Sequence, residues 1–200
     1  MSWIRSITYG EATGRLRKLY DRIGGPGSID NILKVHGLRP HTLEGHMALY
    51  KSVLHHSGNR LPPWLLEAVA VYVSLLNRCD YCVEHHSAGL RRLLGDDRRT
   101  ESILAALRER EPERVLEGVE LAALCYAEAL TRDPGALRES DLEAMRAVGM
   151  DDGMILEVNQ VASYLAYANR TVLGLGVTTR GDTLGLAPRR ADDPEDWRHG

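Results

Sequence analysis

Residues 67–86 read EAVAVYVSLLNRCDYCVEHH, and the fold and the chemistry of the chain both turn on them. The segment opens as a nearly continuous apolar run, breaks at Asn77-Arg78, and resumes with Cys79, Cys82 and His86. Its first half, together with Pro62-Pro63 ahead of it, predicts a deeply buried helix over 63–76, because proline is tolerated in a first helical turn. Its second half predicts a helix over 79–94, with Asn77 as a possible cap and Gly95 as the stop. Cys82 and His86 are then an i, i+4 pair on one face. Glu67 sits in the buried helix, where a carboxylate must be paired or protonated unless it is solvated in the first turn.

Outward from this stretch, apolar residues recur at helical spacing. Leu16, Leu19, Tyr20 and Ile23 mark a helix over 11–23, ended by Gly24-Gly25-Pro26-Gly27. Ile32, Leu33, Val35 and Leu38 form a short apolar segment. Further helices are expected over 41–56, 100–109, 112–131, 140–148 and 151–173. Ser140 followed by Glu143 suggests a capping box, and Cys125 on the 112–131 stripe is expected in the core. No segment alternates as a strand does. The fold class is all-α, a multi-helix bundle of one domain over 1–177. The polar tail, 178–200, is expected to be disordered or laid on a neighbouring subunit.

Composition narrows the function. A net charge of −3 without a basic, aromatic-interleaved patch argues against nucleic acid. No apolar run approaches the ~20 residues that span a bilayer, and the N-terminus lacks a signal-peptide core, so the expected location is the cytoplasm. Three cysteines do not make a disulfide framework, and in a reducing compartment C-x-x-C is catalytic or metal-binding. Phenylalanine is absent.

Three readings of the motif compete. In the first, Cys79 and Cys82 are a redox dithiol. A helix start would favour a thiolate at Cys79. His86 could take the proton of Cys82 and, oriented by Glu67 directly or through water, return it to a leaving oxygen. Such acid–base help is worth ~10²–10⁴ in rate, more than thiol pKa tuning alone supplies. In the second, Cys79, Cys82 and His86 hold a metal with His85 or Glu67, although no second ligand pair is spaced for a four-ligand site. In the third, the cysteines are incidental to a structural helical protein. His85, about 100° around the helix from His86, is expected to face elsewhere.

The ordered set Glu67, Ser74, Asn77, Cys79, Tyr81, Cys82 and His86 resembles the carboxymuconolactone decarboxylase-like superfamily, in its alkylhydroperoxidase D-type, peroxidase-related branch. Tyr81 stands where the best-known peroxidase members have histidine. The openings EATGRLRKLYDRI and RPHTLEGHMALYKSVLHHSGNRLPP and the closing MDDGMILEVNQVASYLAYANRTVLGLGV look like this branch too. The resemblance implies an all-helical homo-oligomer, dimer-based and up to a hexamer, with peroxide as substrate and a dithiol or lipoyl-type reductant. It also implies roles. Cys82 meets peroxide, Cys79 is more exposed and resolves, His86 deprotonates Cys82, and Glu67 holds His86. Ser74, Asn77 and Tyr81 would support the site. Arg170, beside Asn169, matches the branch without an expected catalytic part. Neither a cofactor nor a resident metal is expected.

Overall fold

In the computed structural model, which describes residues 2–199, the regular structure from residue 14 to residue 175 is helical. Met1 and Gly200, the outermost residues of the expected domain and tail, lie outside the described residues. The helices are α1 (Gly14–Ile23), α2 (Asn31–His36), α3 (Pro40–Leu54), α4 (Pro63–Leu76), α5 (Asp80–Leu94), α6 (Asp97–Glu109), α7 (Gly118–Arg132), α8 (Glu139–Ala147) and α9 (Asp152–Leu175). Among the described residues no named strand occurs, only two isolated bridges, His56 with Ala191 and Pro188 with His199.

Helix α4 is the axis of the bundle. Every residue from Leu65 to Ser74 is buried, as a helix apolar on all sides requires. It packs on α5 most extensively, and on α9, α7 and α6. Long α9 closes the far side, its buried face including Ile155, Val158, Val161, Ala162, Leu165 and Val172. With no phenylalanine, large core positions fall to tyrosines whose hydroxyls find partners: Tyr20 donates to the Ile7 carbonyl at 2.8 Å, and Tyr72 to Glu128.

Several expectations are corrected. The segment 112–131 is not one helix. Pro112–Arg114 is a separate 3-10 turn, and α7 starts only at Gly118, after Leu116 has buried itself in the core. Cys125 is exposed, because the buried stripe of α7 runs through Ala123, Leu124, Tyr126 and Ala127. Helix α8 begins at Glu139 rather than at a Ser140–Glu143 box, and Asp141 accepts the Arg138 backbone N–H at 2.6 Å. The apolar segment near Ile32 is the helix α2.

The tail is ordered on its own chain. Asp182 accepts the Asn31 backbone N–H at 3.0 Å, Arg190 donates to the Asn59 carbonyl at 2.7 Å, and the His199 N–H donates to the Ile23 carbonyl at 2.8 Å. Trp197 is buried, with Arg22 stacked 3.7 Å above its ring, and Lys51 donates to the Arg189 carbonyl. These partners are dispersed through the first 60 residues, so the polar composition of the tail concealed a docking segment. Among the described residues no helix is long and apolar enough to cross a membrane.

Candidate active site

The turn between α4 and α5 positions the dithiol. The Cys79 N–H donates to Ser74 O at 2.8 Å and the Arg78 N–H to Leu75 O at 3.1 Å, with Arg78 at φ 57°. This is a Schellman closure with arginine at the left-handed position that usually takes glycine. Asn77 is the C-cap of α4, not an N-cap of α5; that place belongs to Cys79. The same closure brings Ser74, Asn77 and the two thiols together. Asn169 of α9 completes the cluster, donating to Ser74 Oγ at 3.1 Å and accepting from Asn77 at 2.9 Å.

Both thiols are free and buried, and Cys79, at 0% exposure, is less accessible than Cys82 at 3%. Neither thiol is exposed, so accessible surface does not set Cys79 apart as the more exposed one. The pair acts electrostatically as a unit. The S–H and N–H of Cys82 face the Cys79 sulfur and lower its pKa, with help from Asn169. Donating that hydrogen bond, together with burial, raises Cys82, against Asn169 and Ser74. Within the pair, a thiolate is therefore favoured on Cys79 over Cys82.

Glu67 is buried and paired. Its Oε2 accepts from His86 Nδ1 at 2.7 Å. Burial alone would raise its pKa, but the imidazole's charge and hydrogen bond, with His55 and Arg92 nearby, outweigh burial and hold the carboxylate ionised. With Nδ1 tied to Glu67, Nε2 is the nitrogen left to exchange a proton. The carboxylate fits because α5 has no side chain at Gly89: a Cβ there would stand 3.0 Å from Glu67 Cδ.

Cys82, His86 and Glu67 line one cavity of about 50 Å³. Tyr50 and His46 of α3 and Tyr164 of α9 form an aromatic wall, with Tyr50 and Tyr164 stacked at 5.6 Å. The returning tail supplies a roof, Gly185, Leu186, Ala187 and His199. Gly185 lies so close to α5 that a Cβ would stand 2.8 Å from that of Ala88.

His85 does not face elsewhere. It lines the cavity, packs on Tyr81 at 4.6 Å, and stands between two acids, Nδ1 4.0 Å from Asp30 and Nε2 3.6 Å from Asp182. Tyr81 donates to Asp182 at 3.0 Å, so it anchors the tail beside the site. Asp30, His85 and Asp182 are also the trio among the described residues whose spacing could admit a cation. The acids meet opposite nitrogens of one ring, however, and Lys34 lies 3.6 Å from Asp182, so both carboxylates already stand beside basic side chains. Sequence reasoning did not find Asp30, Asp182, His46, Tyr50 or Tyr164. For Asn169 one signal was available: a polar residue in register with buried Ala162 and Leu165 on α9.

Residues 40–129, from the start of α3 nearly to the end of α7, match the sequence model of the carboxymuconolactone decarboxylase family. Over this segment the chain is similar to that family. The boundaries of the match enclose the whole Glu67–His86 stretch and exclude α9 and the tail, which add Asn169 and the roof.

The all-helical fold is similar to that of alkylhydroperoxidase D-like structures. The chain superposes on an uncharacterized peroxidase-related protein from Ralstonia eutropha JMP134, described as an alkylhydroperoxidase AhpD core, with a TM-score of 0.75 at 19% identity, covering 89% of this chain and 92% of the other. A peroxidase-related protein from Silicibacter sp. TM1040 gives 0.68 at 24% identity, covering 84% and 85%. The debrominase Bmp8, in a cysteine-to-alanine variant with 2,3,4-tribromopyrrole, gives 0.65 at 18% identity, covering 84% of each chain. Comparison with curated proteins finds no match.

Proposed function

We propose that the protein is a dithiol peroxidase that reduces small hydroperoxides. The observation that carries this reading is the buried Glu67–His86 hydrogen bond at 2.7 Å, facing the same cavity as Cys82. His86 takes the Cys82 thiol proton through Nε2, and Glu67 stabilises the imidazolium that forms. The Cys82 thiolate attacks the terminal oxygen of R–O–O–H. The O–O bond breaks, sulfur gains an S–OH group, and the proton on His86 goes to the departing alkoxide, giving R–OH. Cys79, the thiol whose pKa the pair lowers, attacks the Cys82 sulfur as its thiolate. A disulfide forms and hydroxide leaves as water after protonation. Two electrons from an external dithiol, of the lipoyl type, restore the pair. The reading further places the enzyme in the cytoplasm as a homo-oligomer built from dimers.

Cavity size weighs against a halogenated aromatic substrate of the kind named with Bmp8. About 50 Å³ is a third of the ~150 Å³ that holds benzene in an engineered cavity.

The deciding experiment is intact mass of the reduced protein after one equivalent of hydroperoxide, with Cys79→Ser and Cys82→Ser in parallel. Loss of about two mass units in the wild type and a trapped oxygen adduct in Cys79→Ser alone are expected. An adduct confined to Cys82→Ser would reverse the roles. No reaction by any form would sink the peroxidase reading, and disulfide formation with an added disulfide but not with peroxide would leave a thiol–disulfide oxidoreductase.

A further inference from the structure

The cavity that Cys82 lines also holds a carboxylate, Asp30, that the proposed peroxidase steps leave unused. Asp30 is 7% exposed and lines the cavity, yet its carboxylate receives no hydrogen bond among the described residues, and His85 Nδ1, at 4.0 Å, is beyond hydrogen-bond reach. A buried carboxylate without a hydrogen bond is costly. Burial pushes it up to about 7, with His85 and Lys34 pulling it down and Asp182 pushing it further up. No element of the Cys82–His86–Glu67 mechanism uses it. Cys82 lines the same cavity.

Size adds a second constraint. A water needs ~10–15 Å³ of such space, so about 50 Å³ admits roughly four non-hydrogen atoms. The roof that sets this limit is the tail, clasped at Asp182 by the Asn31 N–H, the Tyr81 hydroxyl and Lys34.

We propose that this site takes compact hydroperoxides carrying a hydroxyl at the far end, which donates to Asp30 while the peroxide oxygen meets Cys82, and that the tail excludes bulkier ones. Asp30 is thus a specificity residue, and the Asp182 clasp is the size filter. The inference rests on the peroxidase reading. A hydroxyl suits Asp30 in either protonation state, since it can donate to the carboxylate or accept from the acid.

The test compares ethyl hydroperoxide with hydroxymethyl hydroperoxide, which have equal numbers of heavy atoms, and hydrogen peroxide with cumene hydroperoxide. The rate of thiol loss in the reduced full-length protein is measured, each value divided by that of free dithiothreitol to remove intrinsic reactivity. The wild type should favour the hydroxymethyl compound about tenfold, the scale of one hydrogen bond to a charged acceptor. That ratio should fall to about one in Asp30→Ala and largely survive in Asp30→Asn, whose amide oxygen still accepts. Cumene hydroperoxide should be at least about tenfold slower than hydrogen peroxide and should recover in Asp182→Ala. Equal normalised rates for the isosteric pair in the wild type would overturn the Asp30 assignment without needing any variant, and leave the peroxidase reading standing. Fast cumene hydroperoxide reduction by the wild type would overturn the size filter. Silence towards all four compounds would remove the peroxidase reading, and this inference with it.

Discussion

Glu67 occupies the space that a side chain at Gly89 would fill, its Oε1 and Oε2 lying 3.0 and 3.1 Å from where that Cβ would be. The pairing of Glu67 with His86 therefore depends on a missing methyl group one turn further along α5. Gly89→Ala should displace the carboxylate, destabilise the fold by about 1–3 kcal/mol as overpacking does, and lower the peroxide rate about as much as removing the carboxylate. Gly45 makes the contrasting case: it lies inside α3 with nothing within 4 Å of its hypothetical Cβ. Gly45→Ala should stabilise by about 0.5–1 kcal/mol and leave the rate alone. Urea unfolding and stopped-flow thiol oxidation on both variants check this, and equal rates in the two would refute it.

Glu67→Gln keeps the shape of the side chain and a possible acceptor for His86 Nδ1, but removes the charge that favours the imidazolium. The oxidation rate of Cys82 should fall by about 10², at the lower edge of what a positioned acid–base group supplies. Melting temperature should change little, since a buried charge is exchanged for a neutral isostere. A rate within about twofold of the wild type across pH 6–9 would show that His86 works without its carboxylate.

Acid should loosen the protein well above the carboxylate range. Burial lowers His46 and His55 to about 3 and His199 to about 4, so all three stay neutral in the fold while the unfolded chain gains protons below about 6.5. A depressed folded pKa contributes stability that is present above the unfolded value and lost as pH falls. Asp30, raised to about 7 chiefly by burial, works in the opposite sense and gains stability as pH falls from 7 towards 4. Each group contributes about 1.4 kcal/mol per pH unit, and three imidazoles outweigh one carboxyl. The urea midpoint should be clearly lower at pH 5 than at pH 7; a flat or rising midpoint would contradict the buried-imidazole account.

Arg78 holds φ at 57° to close α4. That conformation costs a non-glycine residue about 1–2 kcal/mol, while glycine gives back about 0.5–1 kcal/mol through the freer unfolded chain. Arg78→Gly should thus be stabilising by a few tenths to about 1 kcal/mol, with thiol reactivity intact because the Ser74 and Leu75 carbonyls remain capped. A loss of stability would mean that the Arg78 side chain contributes contacts worth more than the strain.

The helical pattern was legible where one face of a helix, or all of it, is apolar. The boundaries Pro63 and Leu76 of α4 follow from the proline pair before it and the polar Asn77-Arg78 after it. Reading was poorest where local signals were crossed by distant ones. The expected helix over 112–131 took in residues that precede α7, where Leu116 is buried in the core, and Ser140 looked like a cap one residue inside a helix that had already begun.

Within the site, the sequence alone determined the group that can react: a carboxylate, two thiols and an imidazole, at intervals a pair of consecutive helices brings together. Periodicity encodes such neighbours because the helix repeat is the same everywhere. Only the tertiary structure decided which thiol faces the cavity, that Gly89 makes room for Glu67, and that Asp30, Tyr164 and the tail enclose the same space. Those contacts join residues as much as 176 positions apart, as Ile23 and His199 show. No local pattern encodes them, since they follow from how whole helices pack and where the chain returns.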